Sequence, residues 1–185
     1  VSGTLNGDLL AFADDGNAPD EMASDGVYST EVSVPVDTSV LEAVFEVNAE
    51  AVGKSPASAR MVVPVTHAPP NDHFNERAGL SGRRIVLTDY TNRGATTEEG
   101  ERRHYYVRPQ KTVWFTWTAP RNGRADLWLR GSDFDTVLAV YRGSSLNSLR
   151  RVARNDDYGQ NLTSRVRFNV RRGRTYQFVV DGWGG

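Results

Sequence analysis

The sequence predicts an all-β protein built from two β-sandwich domains. Apolar and polar residues alternate with a period of two along most of the chain, and the helical period of 3.6 is nearly absent. Gly, Pro, Asp and Asn clusters of the kind that form turns separate the alternating runs. With 185 residues the chain is long enough for two cores, and Pro69 and Pro70 interrupt the pattern. We expect domains at 1–66 and 71–185, joined by a linker at 67–70.

Three strands are predicted in the first domain. Each combines alternation with β-branched residues and is bounded by turn formers. The predicted strands cover residues 27–35, 42–48 and 59–66.

Seven strands are predicted in the second domain, at a spacing typical of a sandwich. They are RRIVLTDY, HYYVRP, TVWFTWTAP, ADLWLRG, TVLAVYRG, RVRFNV and TYQFVVDG. Between the fifth and sixth, LNSLRRVARN has apolar residues three apart, which predicts a short helical connector. Alternation assigns these residues to the core: Phe115, Trp117, Val137, Ala139, Tyr176, Phe178 and Val180.

Composition excludes several classes of protein. Without cysteine there are no disulfides and no thiol chemistry, and without an apolar run of 18 residues we expect no membrane insertion. No nucleophile elbow and no phosphate-binding glycine loop is present. These absences favour a noncatalytic protein.

Charge is divided unevenly between the two halves. Residues 1–70 carry eleven acidic and two basic side chains, whereas residues 71–185 carry twelve acidic and twenty basic ones. Nineteen of those twenty basic residues are arginine. This excess indicates either anion recognition by guanidinium groups or a genome that prefers arginine codons. The arginines form no run of five, so we expect no nucleic-acid partner.

The second half resembles the bacterial pre-peptidase C-terminal domain. The resemblance covers 71–185 and rests on these motifs in this order: NDHF, GATTEEGER, VWFTWTAPRNG, GSDFDTVLAVYRG, NDD, SRVRFNV and TYQFVVDGWGG. It implies a jelly-roll-like sandwich that accompanies other domains in secreted or cell-surface proteins. Members of that family continue into another strand after VDG, so we expect the last strand to be lacking here.

The first half resembles the end of a bacterial Ig-like segment found in surface and anchor-bearing proteins. The DDG at 14–16 and the DGVY at 25–28 carry this resemblance. An Ig-like domain usually needs about 100 residues, so we expect a partial domain.

The acidic loop between those two motifs is a candidate calcium site. Its carboxylates and amide are the hard oxygen ligands that calcium prefers, and Gly16 and Gly26 permit tight turns. The candidate ligands are Asp14, Asp15, Asn17, Asp20 and Asp25. The alternative is a solvated turn in which Asp and Asn side chains cap their own backbone.

The resemblance to the pre-peptidase C-terminal domain implies a second calcium site, where the chain enters the domain. Its matching positions are Asn71, Asp72, Glu98 and Glu101. The alternative is that the glutamates pair loosely with Arg102 and Arg103 at the surface.

A third acidic group lies in GSDFDT and NDD, which contribute Asp133, Asp135, Asp156 and Asp157. Two carboxylates flanking a sugar would indicate glycoside hydrolysis. Because both motifs follow or precede strands, structural turns are the favoured interpretation, with an accessory ion site as the next.

Aromatic residues offer a candidate ligand surface. Alternation places Trp114 and Trp128 on the side of their strands opposite the core, where they would form an exposed strip with Tyr105 or Tyr106. Arg130 and Arg142 are the expected polar partners. The alternative is that these rings cover a second hydrophobic layer.

Two function classes follow from this sequence. The first is a binding or adhesion module, stabilised by calcium, secreted or on the cell surface, monomeric, and engaging polysaccharide or protein. The second is a structural spacer that positions neighbouring domains of the same parent chain. A glycoside hydrolase is a remote third.

Overall fold

The computed structural model describes residues 1–32, 42–88, 90–106 and 108–184. The chain forms two compact units, Val1–Thr66 and His67–Gly185, so the predicted linker residues lie at the start of the second unit. Its described regular structure is almost entirely β, which confirms the all-β class predicted from the sequence. No helix in the described part of the chain is long and apolar enough to cross a membrane.

The described part of the first unit contains one antiparallel sheet with the order β2-β1-β3-β4. Its strands are β1 (Ser2–Leu5), β2 (Asp8–Leu10), β3 (Glu42–Ala49) and β4 (Ala57–Pro64). A tight turn joins β1 to β2 through Asn6 and Gly7, both at positive φ, as two-residue hairpins require. Leu5 and Ala43 are buried, whereas β4 is exposed along its whole length.

The second unit is a sandwich of a five-stranded and a two-stranded sheet. The larger sheet has the order β5-β6-β11-β8-β9, and β10 pairs with β7 in the smaller one. The strands are β5 (Ala78–Leu80), β6 (Val113–Thr118), β7 (Gly123–Trp128), β8 (Thr136–Arg142), β9 (Arg150–Asn155), β10 (Arg165–Val170) and β11 (Thr175–Gly182). The β5–β6 pair is parallel, and every other pair of named strands is antiparallel.

The main core lies between these two sheets. It includes Val113, Phe115, Leu138, Val140, Val166, Phe168, Val170, Tyr176 and Phe178. The seven predicted core residues are all buried or half-buried, but Ala139 belongs to a different cluster from Phe115 and Phe178. Leu138 and Val140 point between the sheets instead. The sequence could not show this, because β8 is apolar on both faces and alternation does not distinguish one face from the other.

A second hydrophobic layer covers the other face of the five-stranded sheet. Phe74, Trp114, Ala139, Tyr141, Leu149 and Val179 form it. Phe74 lies in a short 3-10 turn, Phe74–Glu76, and meets the Trp114 ring edge-on with centroids 5.0 Å apart. Irregular segments therefore take the place of a further sheet on this side.

Two strand predictions in the second unit were wrong, because the described residues of RRIVLTDY and HYYVRP form no strand. The short helical connector predicted at LNSLRRVARN is confirmed by a 3-10 turn, Leu146–Ser148, but the rest of that segment forms the unpredicted strand β9. Ile85, Val86 and Leu87 remain exposed at 38%, 77% and 42%. Residues 150–155 become a strand because β8 offers an edge with which they pair.

Strand prediction in the first unit succeeded where runs were long. The predictions at 42–48 and 59–66 are confirmed to within two residues by β3 and β4. Of the strand predicted at 27–35, Ser29 forms an isolated bridge with Ala13, and 33–35 lie outside the described residues. The strands β1 and β2 are too short to show alternation and were not predicted.

Candidate ligand and ion sites

The acidic loop is closed by the bridge between Ala13 and Ser29. Inside it, the Asp14 carboxylate accepts hydrogen bonds from the backbone N–H groups of Asp25 (3.1 Å) and Gly26 (3.2 Å). Gly16 donates to Asp20 at 2.6 Å, and Asp20 is only 3% exposed. Gly16 has a φ of 73°, and a Cβ there would lie 2.9 Å from the Ala23 nitrogen, so the turn requires glycine.

Three of the five predicted ligands of this loop converge. One oxygen each from Asp14, Asp20 and Asp25 lies within 4.8 Å of the others. Calcium holds oxygens at 2.3–2.6 Å, so ligands on opposite sides of one ion are about 5 Å apart, and the three carboxylates fit this limit. Their hydrogen bonds to backbone N–H groups equally match the capped-turn alternative.

The other two predicted ligands of the loop do not join that group. Asp15 Oδ1 accepts the Asn17 N–H at 2.9 Å, and this hydrogen bond lowers the pKa of the exposed Asp15 carboxyl. Asp15 and Asn17 thus form a local turn of their own.

At the entrance to the second unit, the carboxylates of Asp72 and Glu98 accept hydrogen bonds from donors of the chain itself, whereas the buried Asn71 Oδ1 has no hydrogen-bond partner among the described residues. Asp72 is buried and accepts hydrogen bonds from the Thr96 N–H and hydroxyl, both at 2.7 Å. Glu98 accepts the Phe74 N–H, and the Asn71 side-chain amide donates to the Trp114 carbonyl at 3.1 Å. These bonds tie the entering segment to the loop before β6 and to β6 itself.

Glu101 is the most deeply buried of these carboxylates, with a side chain that is 0% exposed. It accepts hydrogen bonds from the Thr112 hydroxyl (2.9 Å) and the Trp114 indole N–H (2.8 Å). Burial nevertheless raises its pKa to about 7. His104, with Nε2 4.0 Å from the carboxylate, is also buried, and burial lowers its pKa to about 4.

Calcium binding by Asn71, Asp72, Glu98 and Glu101 stays a prediction. Unlike Asp14, Asp20 and Asp25 of the acidic loop, the described carboxylates of Asp72, Glu98 and Glu101 do not place one oxygen each within 4.8 Å of the others.

A third carboxylate group lies where β8 begins and β9 ends. Asp135, Asp156 and Asp157 place oxygens within 4.8 Å of one another, and the exposed Asp133 is outside the group. Burial, followed by the charges of Asp135 and Asp157, raises the pKa of Asp156 to about 6. A glycoside hydrolase needs opposed carboxyls about 5 to 10 Å apart on either side of a sugar, whereas these three form one cluster.

The prediction that Trp114 lies on an exposed strip is wrong. Its side chain is 0% exposed, with the indole N–H on Glu101 and the ring against Phe74 and His104. The alternative, a second hydrophobic layer, is what the structure shows for this residue. Alternation along β6 reported the direction of the side chain correctly but carried no information about the segments that cover it.

Trp128, in contrast, is 40% exposed on the outer face of the two-stranded sheet. Its ring meets Tyr158 edge-on at 6.0 Å, and the guanidinium groups of Arg165 and Arg130 lie 4.7 and 5.2 Å from its centroid. Arg165 also donates to both Asp126 oxygens, at 2.8 and 2.6 Å. These contacts hold the indole in one orientation.

A groove of about 760 Å³, lined by both polar and apolar side chains, adjoins this indole. Its lining includes Trp128, Arg130, Ser132, Asp133, Gln160 and Asn161. We call it the Trp128 groove. The lining combines an aromatic ring with hydroxyl, amide, carboxylate and guanidinium groups, a combination that suits a ligand with both apolar faces and hydroxyl groups.

The remaining predicted aromatic residues lie in a separate cluster. The rings of Tyr105 and Tyr106 meet edge to face with centroids 4.6 Å apart, and the Arg154 guanidinium lies over both rings. The Trp183 and Tyr105 ring centroids are 6.4 Å apart. No described contact joins the exposed Arg142 to this cluster or to Trp128. The single strip predicted from the sequence is therefore three separate environments.

Sequence reasoning missed Arg154, Tyr158, Arg165 and Trp183 of the aromatic clusters, and it missed Asp126, Ser132, Gln160 and Asn161 around Trp128. The pairing of Trp128 with Arg165 across the two strands was the available signal for one of them, but it requires knowing that β7 pairs with β10. Tyr158, Arg154 and Trp183 lie in or next to turns and ends of strands, where alternation gives no direction.

A larger groove of about 990 Å³ lies beside β6 and β7. Its lining includes Ile85, Val86 and Leu87 together with core residues such as Phe115 and Phe178, and it shares Trp128, Arg130, Ser132 and Asp133 with the Trp128 groove. Because its apolar part continues the main core, we assign that part to packing.

No family model, curated protein or solved structure matches the chain at a significant level. The function is therefore argued from the geometry of the sites described above.

Proposed function

We propose that this chain is a noncatalytic binding module of a secreted or cell-surface protein, and that it engages polysaccharide at the Trp128 groove. The observation that carries the proposal is a half-exposed indole at the edge of a groove lined by both polar and apolar side chains. The apolar C–H face of a sugar ring packs on an aromatic face. Its hydroxyls would bond to Ser132, Gln160 and Asn161.

The fixed position of the indole supports binding. Tyr158 and Arg165 contact the Trp128 ring, and the bidentate pair of Arg165 with Asp126 restricts the guanidinium group. A ligand would therefore pay little entropy to order this surface.

A structural spacer is the alternative function. A spacer predicts polar sheet faces without exposed aromatic residues, whereas Trp128 and Tyr158 are exposed together at 40% and 39%. That pair favours the binding module.

Calcium is proposed as the ion that stabilises the first unit. Support comes from the convergence of Asp14, Asp20 and Asp25 within 4.8 Å and from the burial of Asp20. Outside cells calcium is abundant enough to fill weak sites, and a bound ion at a hundredfold excess over its Kd adds about 2.7 kcal/mol of stability.

Thermal unfolding with calcium and with chelator tests the ion. The midpoint of the wild-type protein should fall by several degrees in chelator, and the double variant Asp14→Asn, Asp25→Asn should lose most of that response. Asp8→Asn, an exposed carboxylate of the same unit, is the matched control. A wild-type midpoint that ignores chelator would leave the capped turn as the account of this loop.

Affinity measurements against a panel of polysaccharides test the binding function. Trp128→Ala should weaken binding of the retained polysaccharide by roughly tenfold, the size expected for one aromatic stacking contact. Trp183→Ala, which truncates another half-exposed indole, should bind like the wild type. Equal affinity of the wild type and Trp128→Ala would refute the proposed site, as would a panel with no binder.

A further inference from the structure

Arginines gather on the smaller sheet of the second unit and its turns. The turn before β7 and the turn after β10 lie against each other, since Gly173 donates to the Ala119 carbonyl at 2.8 Å and Ala119 donates to the Arg174 carbonyl at 3.0 Å. The Arg172 N–H reaches the Asn122 side chain at 2.8 Å. Residues 119–130 and 164–175 thus form one continuous surface, which we call the arginine face.

The arginine face carries eight basic residues and one acidic residue, Asp126, while Asp133 and Asp135 lie beyond it in the lining of the Trp128 groove. The basic residues are Arg121, Arg124, Arg130, Arg165, Arg167, Arg171, Arg172 and Arg174. Inward positions of β7 and β10 are apolar, while the outward positions of β10 are Arg165, Arg167 and Asn169. The charge is therefore concentrated on the outer side of the sheet.

Most of this charge is uncompensated within the chain. Asp126 pairs with Arg165 (2.6 Å) and Arg167 (3.0 Å). In the described part of the chain, the other six arginines of the arginine face form no ion pair within 4.0 Å. Clustered like charges repel one another unless a ligand of opposite charge relieves them.

We propose that the ligand of the Trp128 groove is an anionic polysaccharide whose acidic groups bind the arginine face. This inference rests on the proposed function, since Trp128 lies at the end of β7 and belongs to both surfaces. One sugar ring stacks on the indole while carboxylate or sulfate groups of neighbouring sugars meet arginines further along the sheet. The planar guanidinium group binds such oxyanions through paired hydrogen bonds.

A single-stranded nucleic acid fits this surface less well. Proteins that bind single strands present several aromatic side chains on which successive bases stack. On the arginine face, Trp128 is the single aromatic residue among the outward positions of β7 and β10, with Tyr158 beside it. The rest of the surface offers charge without stacking platforms.

The experiment compares polygalacturonate with its fully methyl-esterified form, which has the same backbone without the charge. Four proteins, each with all 185 residues, are compared by calorimetry: the wild type, Trp128→Ala, the double variant Arg124→Gln, Arg172→Gln, and the double variant Arg142→Gln, Arg150→Gln. The last is a matched control, because it removes two exposed arginines from β8 and β9. A single-stranded oligonucleotide is the competing polyanion.

We expect the wild type to bind polygalacturonate at least tenfold more tightly than the methyl ester. The double variant Arg124→Gln, Arg172→Gln should lose most of that preference. The slope of log affinity against log salt concentration should become shallower by roughly one to two. Arg142→Gln, Arg150→Gln should keep the preference. Trp128→Ala should weaken binding to both forms.

Three results would overturn the inference. Equal binding of the two forms, still dependent on Trp128, would refute an anionic ligand and leave the proposed function intact. Tighter binding of the oligonucleotide would assign the arginine face to nucleic acid. Binding of the methyl ester without binding of polygalacturonate would show that the arginines do not recognise acidic groups of the polysaccharide.

Discussion

Two outer faces of the second unit carry tryptophans with opposite fates. Trp114 on β6 and Trp128 on β7 both point away from the core between the sheets, yet one is 0% and the other 40% exposed. The 3-10 turn with Phe74 and the segment with His104 cover the first. Nothing comparable among the described contacts covers the second, which meets Tyr158 and two arginines. The comparison shows that direction along a strand does not determine exposure.

Neighbouring strands explain the difference. Across the larger sheet, Val179 pairs with both Trp114 and Ala139, so the outer face there is apolar over three strands and burying it is favourable. Across the smaller sheet, Trp128 pairs with Arg165 and Asp126 with Arg167. Covering that face would bury charges at high cost. Each face thus follows from its cross-strand pairs.

The largest effect should come from truncating the two tryptophans in parallel. Trp114→Ala should cost about 3–5 kcal/mol, because it leaves a cavity and removes a donor from buried Glu101. Trp128→Ala should cost within about 1 kcal/mol, since its ring is half-exposed. Urea unfolding of both variants measures this difference. Similar costs would break the distinction between a covered and a bare face.

A smaller, pH-dependent effect should come from Glu101→Gln in the covered face. Glu101 has its pKa raised to about 7, so the folded state keeps a proton that the unfolded chain releases near 4.5. Wild-type stability therefore loses up to about 3 kcal/mol as pH rises from 4.5 to 7, and the variant avoids this loss. Unfolding at intervals between pH 4.5 and 8 measures the difference between the two proteins.

His104 provides the control for that measurement. Its pKa is lowered to about 4, so it makes the folded state more stable as pH rises from 4 to 6.5, opposite to Glu101. Because both proteins contain His104, its contribution cancels in their difference. A difference that does not change with pH would show that Glu101 is ionised in the folded protein.

The smallest effect on stability should come from Asp126→Asn in the bare face. Hydrogen bonds from Arg165 hold the pKa of Asp126 at about 2, so its contribution is present at neutral pH and lost as pH falls through that value. The pair is exposed, which limits the loss to below about 1 kcal/mol. Affinity for polygalacturonate should rise, because Arg165 and Arg167 lose their internal partner. Unfolding and calorimetry at pH 7 check both statements, and weaker binding would contradict the second.

The sequence was sufficient for the fold class and for the long strands, because β-branched alternation is local. It was insufficient where a neighbouring strand decides whether a segment forms a strand. Ile85 to Leu87 have strand-like residues but form no strand, whereas residues 150–155 pair with β8. The same holds for the sites. Convergence of Asp14, Asp20 and Asp25 was foreseeable within one loop, but the burial of Glu101 and the gathering of the arginines depend on segments distant in sequence.

Oxidative footprinting of the tryptophans, with and without polygalacturonate, tests the central claim most directly. We expect Trp114 to resist oxidation in both conditions, and Trp128 to react when free and be protected when the polysaccharide is bound. Trp183 should react equally in both. Oxidation of Trp114 as fast as Trp128, or a Trp128 that stays reactive in the saturated complex, would contradict the account.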